Sequence, residues 1–210
     1  QRGHDVRNEL AARGHEGVGS DLAPAYSGIA DGSAVTKAAY VPMDITNAAQ
    51  VREVISAVHP DAVIHCAAWT AVDAAEDADK QAKVQAINVQ GTANIAAVCK
   101  ELDCKMMYIS TDYVWDPDCK DYQPLNVYGQ SKLGGELAVS GALEKYFIVR
   151  IAWVFGLNGS NFIKTMLKLS ETHDTLRVVC DQIGTPTYTY DLARLLVDMI
   201  ESEKYGYYHA

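Results

Sequence analysis

The chain has 210 residues, 49% of them hydrophobic, and a formal net charge of −9 at pH 7. That length suits one large domain, or one domain and part of another, with the composition of a globular protein rather than a disordered or fibrous one. The acidic balance leaves no basic phosphate-binding stripe for a nucleic acid, no apolar run reaches the ~18 residues that span a bilayer, and no secretory leader is expected at the start.

Helix and strand alternate along the sequence. His4 to Arg13 predicts a helix with Val6 and Leu10 on one face and Gly14 as its stop. Glu16 to Asp21 predicts a short strand, and a Gly-containing loop to about Ala38 leads into another at Ala39 to Met43. Asn47 is a candidate cap for a helix in which Val51, Val54, Ile55 and Val58 form an apolar stripe, with Pro60 beyond its end. Asp61 to Ala68 is apolar on both faces, as a parallel strand covered by helices should be. A long helix is expected from about Ala74 to Leu102, a buried strand at Lys105 to Ser110, a helix at about Asn126 to Ala142 and a strand at Tyr146 to Ile151. This order predicts an α/β fold: a Rossmann-like, doubly wound parallel sheet over residues 1–152. After Trp153 the pattern changes to a helix at Asn161 to Glu171, a strand near Thr175 to Val179 and a helix at Tyr190 to Glu201, with Leu192, Leu195, Leu196, Met199 and Ile200 expected inside. Residues 153–210 read as the start of a smaller substrate region on the sheet's C-terminal edge.

Ligands of such sheets bind beyond the carboxyl ends of the strands. Asp21, Asp44-Ile45, Cys66-Ala67-Ala68-Trp69-Thr70, Ser110-Thr111-Asp112-Tyr113 and Ile151-Ala152-Trp153 all fall there. Asp21 suits a ribose 2′-hydroxyl, Asp44 with Ile45 an adenine, and the small run Cys66-Ala67-Ala68 a flat ring lying close to the backbone. Each of these residues alone reads equally well as part of a turn.

Tyr128 and Lys132 stand at i and i+4 of the helix that opens beside this edge. With 12 Tyr in the chain and roughly one residue in twenty a Lys, chance alone supplies on the order of 0.6 such pairs. A tyrosine with its ordinary pKa near 10 exchanges protons slowly at neutral pH, and a neighbouring ammonium favours its phenolate. Tyr128 is therefore either a general acid tuned by Lys132, with Thr111 donating to the same carbonyl oxygen, or a polar residue on an exposed helix face. A hydride would have to come from a cofactor, because no side chain supplies one.

Several motifs in order narrow the choice: Ser110-Thr111-Asp112-Tyr113-Val114, Leu125-Asn126-Val127-Tyr128-Gly129-x-x-Lys132, A-A-W-T-A-V-D-A-A-E from Ala67 to Glu76, and the runs Arg150 to Gly156, Asn161 to Leu167 and Asp181 to Thr187. Together they resemble the extended short-chain dehydrogenase/reductase family and, within it, the dTDP-4-dehydrorhamnose reductases, over nearly the whole chain. The resemblance implies that the 4-keto group of dTDP-4-dehydro-L-rhamnose is reduced to give dTDP-L-rhamnose, with NADPH or NADH as hydride donor. It makes Tyr128 the acid, Lys132 its electrostatic partner and a ribose ligand, and Thr111 the carbonyl donor. Gly3, Asp21, Asp44, Ile45, Cys66, Ala67, Ala68 and Ser110 join Tyr128 and Lys132 as cofactor contacts. Thr70, Val72, Glu76, Trp153, Asn161 and Thr187 fall on the substrate side. Asn88 matches an asparagine of the family's long helix, either ordering the lysine or serving the helix interior. His65, in mid-strand, reads as core.

The family opens with a strand and T-G-x-x-G-Q-x-G, whose tail Gln1-Arg2-Gly3 matches, so a shortened chain is expected. The loop Tyr113 to Asp118 lacks the family's longer Gly-containing insertion, and further substrate-region elements are expected after Ala210. A related nucleotide-sugar epimerase or dehydratase remains an alternative; Tyr113 stands where dehydratases carry Glu, which counts against dehydration. A non-catalytic regulatory subunit of the methionine adenosyltransferase type also shares this likeness, and the intact Thr-Tyr-Lys set disfavours it. Five cysteines without a C-x-x-C argue against a metal site or a disulfide framework and suit idle thiols in a reducing cytoplasm. A monomer or a homodimer is expected.

Overall fold

The structure, a computed structural model, describes residues 2–26, 33–115 and 123–210. Cys119, much of the loop before Ala38 and the end of the Tyr113 to Asp118 loop lie outside these residues.

The main sheet has four parallel strands in the order β3-β4-β5-β8: β3 (Ala62–His65), β4 (Lys105–Thr111), β5 (Tyr146–Ile151) and β8 (Gly206–His209). A separate parallel pair joins β1 (Gly19–Asp21) to β2 (Tyr40–Pro42). The third sheet pairs β6 (Val154–Phe155) with β7 (Thr187–Tyr188). Successive residues of a strand point to opposite faces, and β4 and β5 are buried at every position but the first, so both faces are packed. Met106, Tyr108 and Ile148 point toward α3 (Ala48–Val58), α5 (Thr92–Leu102) and α6 (Val127–Ala142), meeting Val51, Ile55, Ile95 and Val139. Met107, Ile109, Phe147 and Val149 point the other way, against Val6 of α1 (Arg2–Ala12) and Leu192, Leu196 and Met199 of α8 (Thr189–Ile200). This is the doubly wound arrangement expected from the sequence.

Local signals fix the helix ends. Asn47 Oδ1 accepts from Gln50 N–H and starts α3; His59, with φ 49°, turns left-handed and ends it before Pro60. Asn126 Oδ1 accepts from Gly129 N–H at 2.7 Å and starts α6.

Four expectations are corrected. The loop before Ala38 contains a short helix, α2 (Ala34–Lys37). The long helix is not uniform: a 3₁₀ turn (Asp73–Glu76) precedes α4 (Ala78–Gln85), and a π-turn (Ala86–Gly91) separates α4 from α5. No strand forms at Thr175 to Val179, where Val178 and Val179 are exposed and no neighbouring edge pairs with the backbone. Leu195 on α8 is 41% exposed, one residue off the buried stripe. After β6, α7 (Phe162–Ser170) and β7, the chain returns, with α8 covering one face and β8 pairing with β5.

Candidate active site

The carboxyl ends of β4 and β5 and the start of α6 enclose a cavity of about 490 Å³. Thr70, Val72, Ser110, Thr111, Tyr128 and Trp153 all line it. Residues nominated from four separate stretches of sequence therefore share one crevice.

Each is held for a reason. Tyr128 is the second residue of α6, whose N-terminus is fixed twice: by Asn126 on Gly129 N–H and by Glu76 Oε1, which accepts from Val127 N–H at 2.8 Å. Gly129 permits the close approach that follows, since a Cβ there would lie 2.2 Å from the Tyr113 carbonyl oxygen. The Tyr113 ring meets the Tyr128 ring edge-on at 5.8 Å. Thr111 Oγ1 donates to Asp112 Oδ1 at 3.1 Å and accepts from Tyr113 N–H at 3.3 Å. Trp153 has φ 44°, a left-handed backbone unusual for a bulky residue, and the residue is 46% exposed. Gly184 lies against that ring: a Cβ there would come within 2.8 Å of it.

Lys132 is 2% exposed, far from the solvated lysine of an outward helix face. Its Nζ donates to the Ile109 carbonyl at 2.8 Å and sits 4.0 Å from the centre of the Tyr108 ring. Tyr108 in turn stacks on His65, whose Nε2 lies 3.1 Å from Thr92 Oγ1. Because the Thr92 hydroxyl donates to the Asn88 carbonyl at 2.8 Å, the ring is assigned as the Nε2–H tautomer. Burial, and after it the charge of Lys132, holds the His65 pKa down to about 3, so the ring is a neutral core group.

Asn88, 1% exposed, sits on the π-turn. Its Oδ1 accepts from Trp69 N–H at 2.8 Å, while its Nδ2 donates to the Trp69 carbonyl at 3.2 Å and to Ser131 Oγ at 2.9 Å. Ser131 Oγ donates to the Tyr128 carbonyl at 2.7 Å. One side chain thus clamps the loop after β3 to the helix that carries Tyr128 and Lys132.

The structure gives several nominated residues other partners. The Ser110 hydroxyl donates to Glu136 Oε1 at 2.5 Å in the interior. Glu76 is exposed and serves as a helix cap. Asn161 caps α7, accepting from Lys164 N–H at 3.1 Å and donating to the Gly156 carbonyl at 2.9 Å. Thr187 is buried in β7, its N–H on the Trp153 carbonyl at 3.3 Å. Ile45 packs on the helix at Gly91, where a Cβ would come within 2.7 Å of it. The Asp44 carboxyl accepts from Thr46 Oγ1 and N–H, bonds that hold it below the usual carboxylate range.

One pair was not anticipated. Glu136 and Arg150 are both buried, with Arg150 Nε on Oε1 at 2.9 Å and Nη2 on Oε2 at 2.6 Å. The signal was present: Glu136 is i+4 from Lys132 and so shares its helix face.

The remaining nominated residues lie at strand and helix ends. Gly3, in the first turn of α1, is exposed, with nothing within 4 Å of a Cβ built there. Asp21 is exposed at the end of β1, and Cys66, Ala67 and Ala68 follow β3 without a bulky side chain. Among the described residues no three His, Cys, Asp or Glu side chains are grouped to hold a metal ion, and no helix is long and apolar enough to cross a membrane.

The chain is similar to the dTDP-4-dehydrorhamnose reductase of Mycolicibacterium smegmatis, with 41% identity over 167 residues covering 75% of this chain and 50% of that protein. Among solved structures, the dTDP-4-dehydrorhamnose reductase of Bacillus anthracis in complex with NADP is 39% identical, with a TM-score of 0.78 over 82% of this chain and 65% of that one. A dTDP-4-dehydrorhamnose reductase from Clostridium acetobutylicum is 35% identical, with a TM-score of 0.82 over 100% of this chain and 70% of that one. The chain spans about 50–60% of the length of the first curated relatives it matches. The RmlD substrate binding domain model matches residues 3–210, and this chain belongs to that family.

Proposed function

We propose that the protein reduces the 4-keto group of dTDP-4-dehydro-L-rhamnose, using NADPH or NADH, and that this chain supplies the dinucleotide-binding part and the start of the substrate side. The observation that carries the reading is the shared crevice: Thr111, Tyr128 and Trp153 line one cavity, with Lys132 buried in the same helix turn.

The cofactor, when bound, supplies the hydride. Gly3 at the α1 N-terminus, Asp21, the Cys66-Ala67-Ala68 run, Tyr128 and Lys132 would hold it. Tyr128 Oη gives its proton to the carbonyl oxygen of the sugar. The Lys132 ammonium, on the same helix face, favours the phenolate left behind. Thr111 Oγ1 turns from Asp112 to donate to that carbonyl oxygen, and the exposed face of Trp153 packs on the sugar ring. By the same reading the enzyme is cytoplasmic and works as a monomer or homodimer.

The test is to mix the protein with NADPH and dTDP-4-dehydro-L-rhamnose and follow the absorbance of the reduced nicotinamide. Absorbance falls with the native protein, and the rate drops roughly hundredfold or more in Tyr128→Phe, the typical contribution of a positioned acid. No oxidation with a substrate that the M. smegmatis relative consumes would sink the reading.

A further inference from the structure

Helix α5 ends in a way that brings two cysteines together. Asp103, with φ 55°, turns left-handed past its last residue, and Cys104 N–H donates to the Cys99 carbonyl at 3.0 Å. A six-to-one hydrogen bond around a left-handed residue is the Schellman closure, in which the side chain inside the helix end meets the one just beyond it, commonly as an apolar pair. Here both positions are cysteine. Both thiols are free and buried in the same apolar cluster as Val51, Ile55 and Ile95.

A cavity of about 390 Å³ reaches the pair, with Lys100, Asp103 and Lys145 on its walls. It opens where β4 and β5 begin, at the opposite edge of the sheet from the Tyr128 crevice, so the proposed reduction makes no use of it. Cys104 is the more accessible of the two, 5% exposed against 0% for Cys99, and its interaction with Cys99 holds its thiol below the ordinary pKa. Cys104 is therefore assigned as the attacking thiol and Cys99 as its resolving partner.

We propose that Cys99 and Cys104 form a redox pair, and that a small hydroperoxide entering this cavity converts them to a disulfide. The Cys104 sulfur, as thiolate, attacks one peroxide oxygen. An S–O bond forms, the O–O bond breaks, and the departing oxygen leaves as alcohol or water after taking the proton that Cys104 released. The Cys99 sulfur then attacks Cys104 Sγ; an S–S bond forms, the S–O bond breaks, and the hydroxyl leaves as water with the Cys99 proton. The two sulfurs lose two electrons and the peroxide gains them. The Schellman closure already brings the two residues together, with Cys104 N–H on the Cys99 carbonyl at 3.0 Å and both side chains on one cavity.

Peptide mapping tests this directly. The intact protein is reduced, freed of reductant and treated with hydrogen peroxide. Trypsin cuts after Lys100, between the two cysteines, so the disulfide joins two peptides that separate only on reduction. That linkage, with the loss of two alkylatable thiols, is the expected result. In Cys99→Ser the expected product is a Cys104 sulfenic acid captured by dimedone, and Cys180→Ser leaves the linkage unchanged. The proposal is overturned if both thiols stay alkylatable in the denatured product while Cys180 is oxidised. It is equally overturned if Cys104 pairs with another cysteine, or if native Cys104 proceeds to sulfinic acid without joining Cys99. The mapping of the native protein stands whether or not a variant folds.

Discussion

Glu136 and Arg150 grip each other with two hydrogen bonds, 2.9 and 2.6 Å long, where neither side chain reaches water. The Ser110 hydroxyl adds a third bond to Glu136 at 2.5 Å. The trio joins α6 to the ends of β4 and β5, the three elements that place Tyr128, Thr111 and Trp153. Removing one partner strands the other charge in the interior. Arg150→Met is expected to lower unfolding free energy by about 3–5 kcal/mol, and adding Glu136→Met to recover most of it, because an apolar replacement of both leaves no charge unpaired, only the Ser110 hydroxyl without its acceptor. Urea denaturation of the single and double variants checks this; losses that simply add would show that the charges are not coupled.

Asn126 is expected to matter to rate as well as to stability. Asn126→Ala removes the acceptor for Gly129 N–H and costs about 1 kcal/mol. Tyr128 lies two residues on, so turnover in the nicotinamide assay should fall with it, and Asn126→Asp, which keeps an acceptor, should restore both. If the alanine variant loses stability but keeps full turnover, the cap does not position Tyr128.

His65 makes stability depend on pH. Its folded pKa, about 3, lies below the ordinary value near 6.5. Below pH ~6.5 the unfolded chain takes up a proton that the folded chain refuses, so this stabilising contribution is complete above ~6.5 and declines as pH falls toward the folded value. Between pH 7 and 5 it should account for about 2 kcal/mol. Urea midpoints at the two pH values should converge in His65→Gln; an unchanged difference would assign the acid sensitivity to other groups.

Two glycines of α6 give opposite expectations. A Cβ at Gly135 would lie 2.3 Å from Tyr108 Oη and 2.7 Å from the Asn88 carbonyl, whereas one at Gly141 meets nothing within 4 Å. Gly135→Ala should destabilise by about 1–3 kcal/mol, and Gly141→Ala should stabilise by about 0.5 kcal/mol. Thermal unfolding of the two variants compares them, and equal shifts would contradict the packing described at Gly135.

The strands and helices that make up the sheet layers were legible because each carries a repeating signal: apolar on both faces for β4 and β5, a one-sided stripe for α3 and α8. The crevice was legible because strand ends converge by topology. What escaped was the fate of polar atoms. Nothing in the sequence tells whether the Ser110 hydroxyl turns toward a ligand or toward Glu136, since the choice depends on which charge lies beneath the strand. Glu76 and Asn161, nominated for the substrate side, also cap helices, a role visible only once the helix starts are located. Thr175 to Val179 has strand-like residues, but a strand exists only where an edge receives it.

The π-turn at Ala86–Gly91 makes the long helix intolerant of changes in length. Each residue of an α-helix advances the side-chain direction by about 100°. Deleting or adding one residue within the turn would rotate α4 and everything before it relative to α5. Asn88 could then keep its hold on Trp69 and Ser131 only if Ile95 and Val98 left the core, so the spacing between clamp and core works as a fixed gauge, set by counting residues rather than by their chemistry.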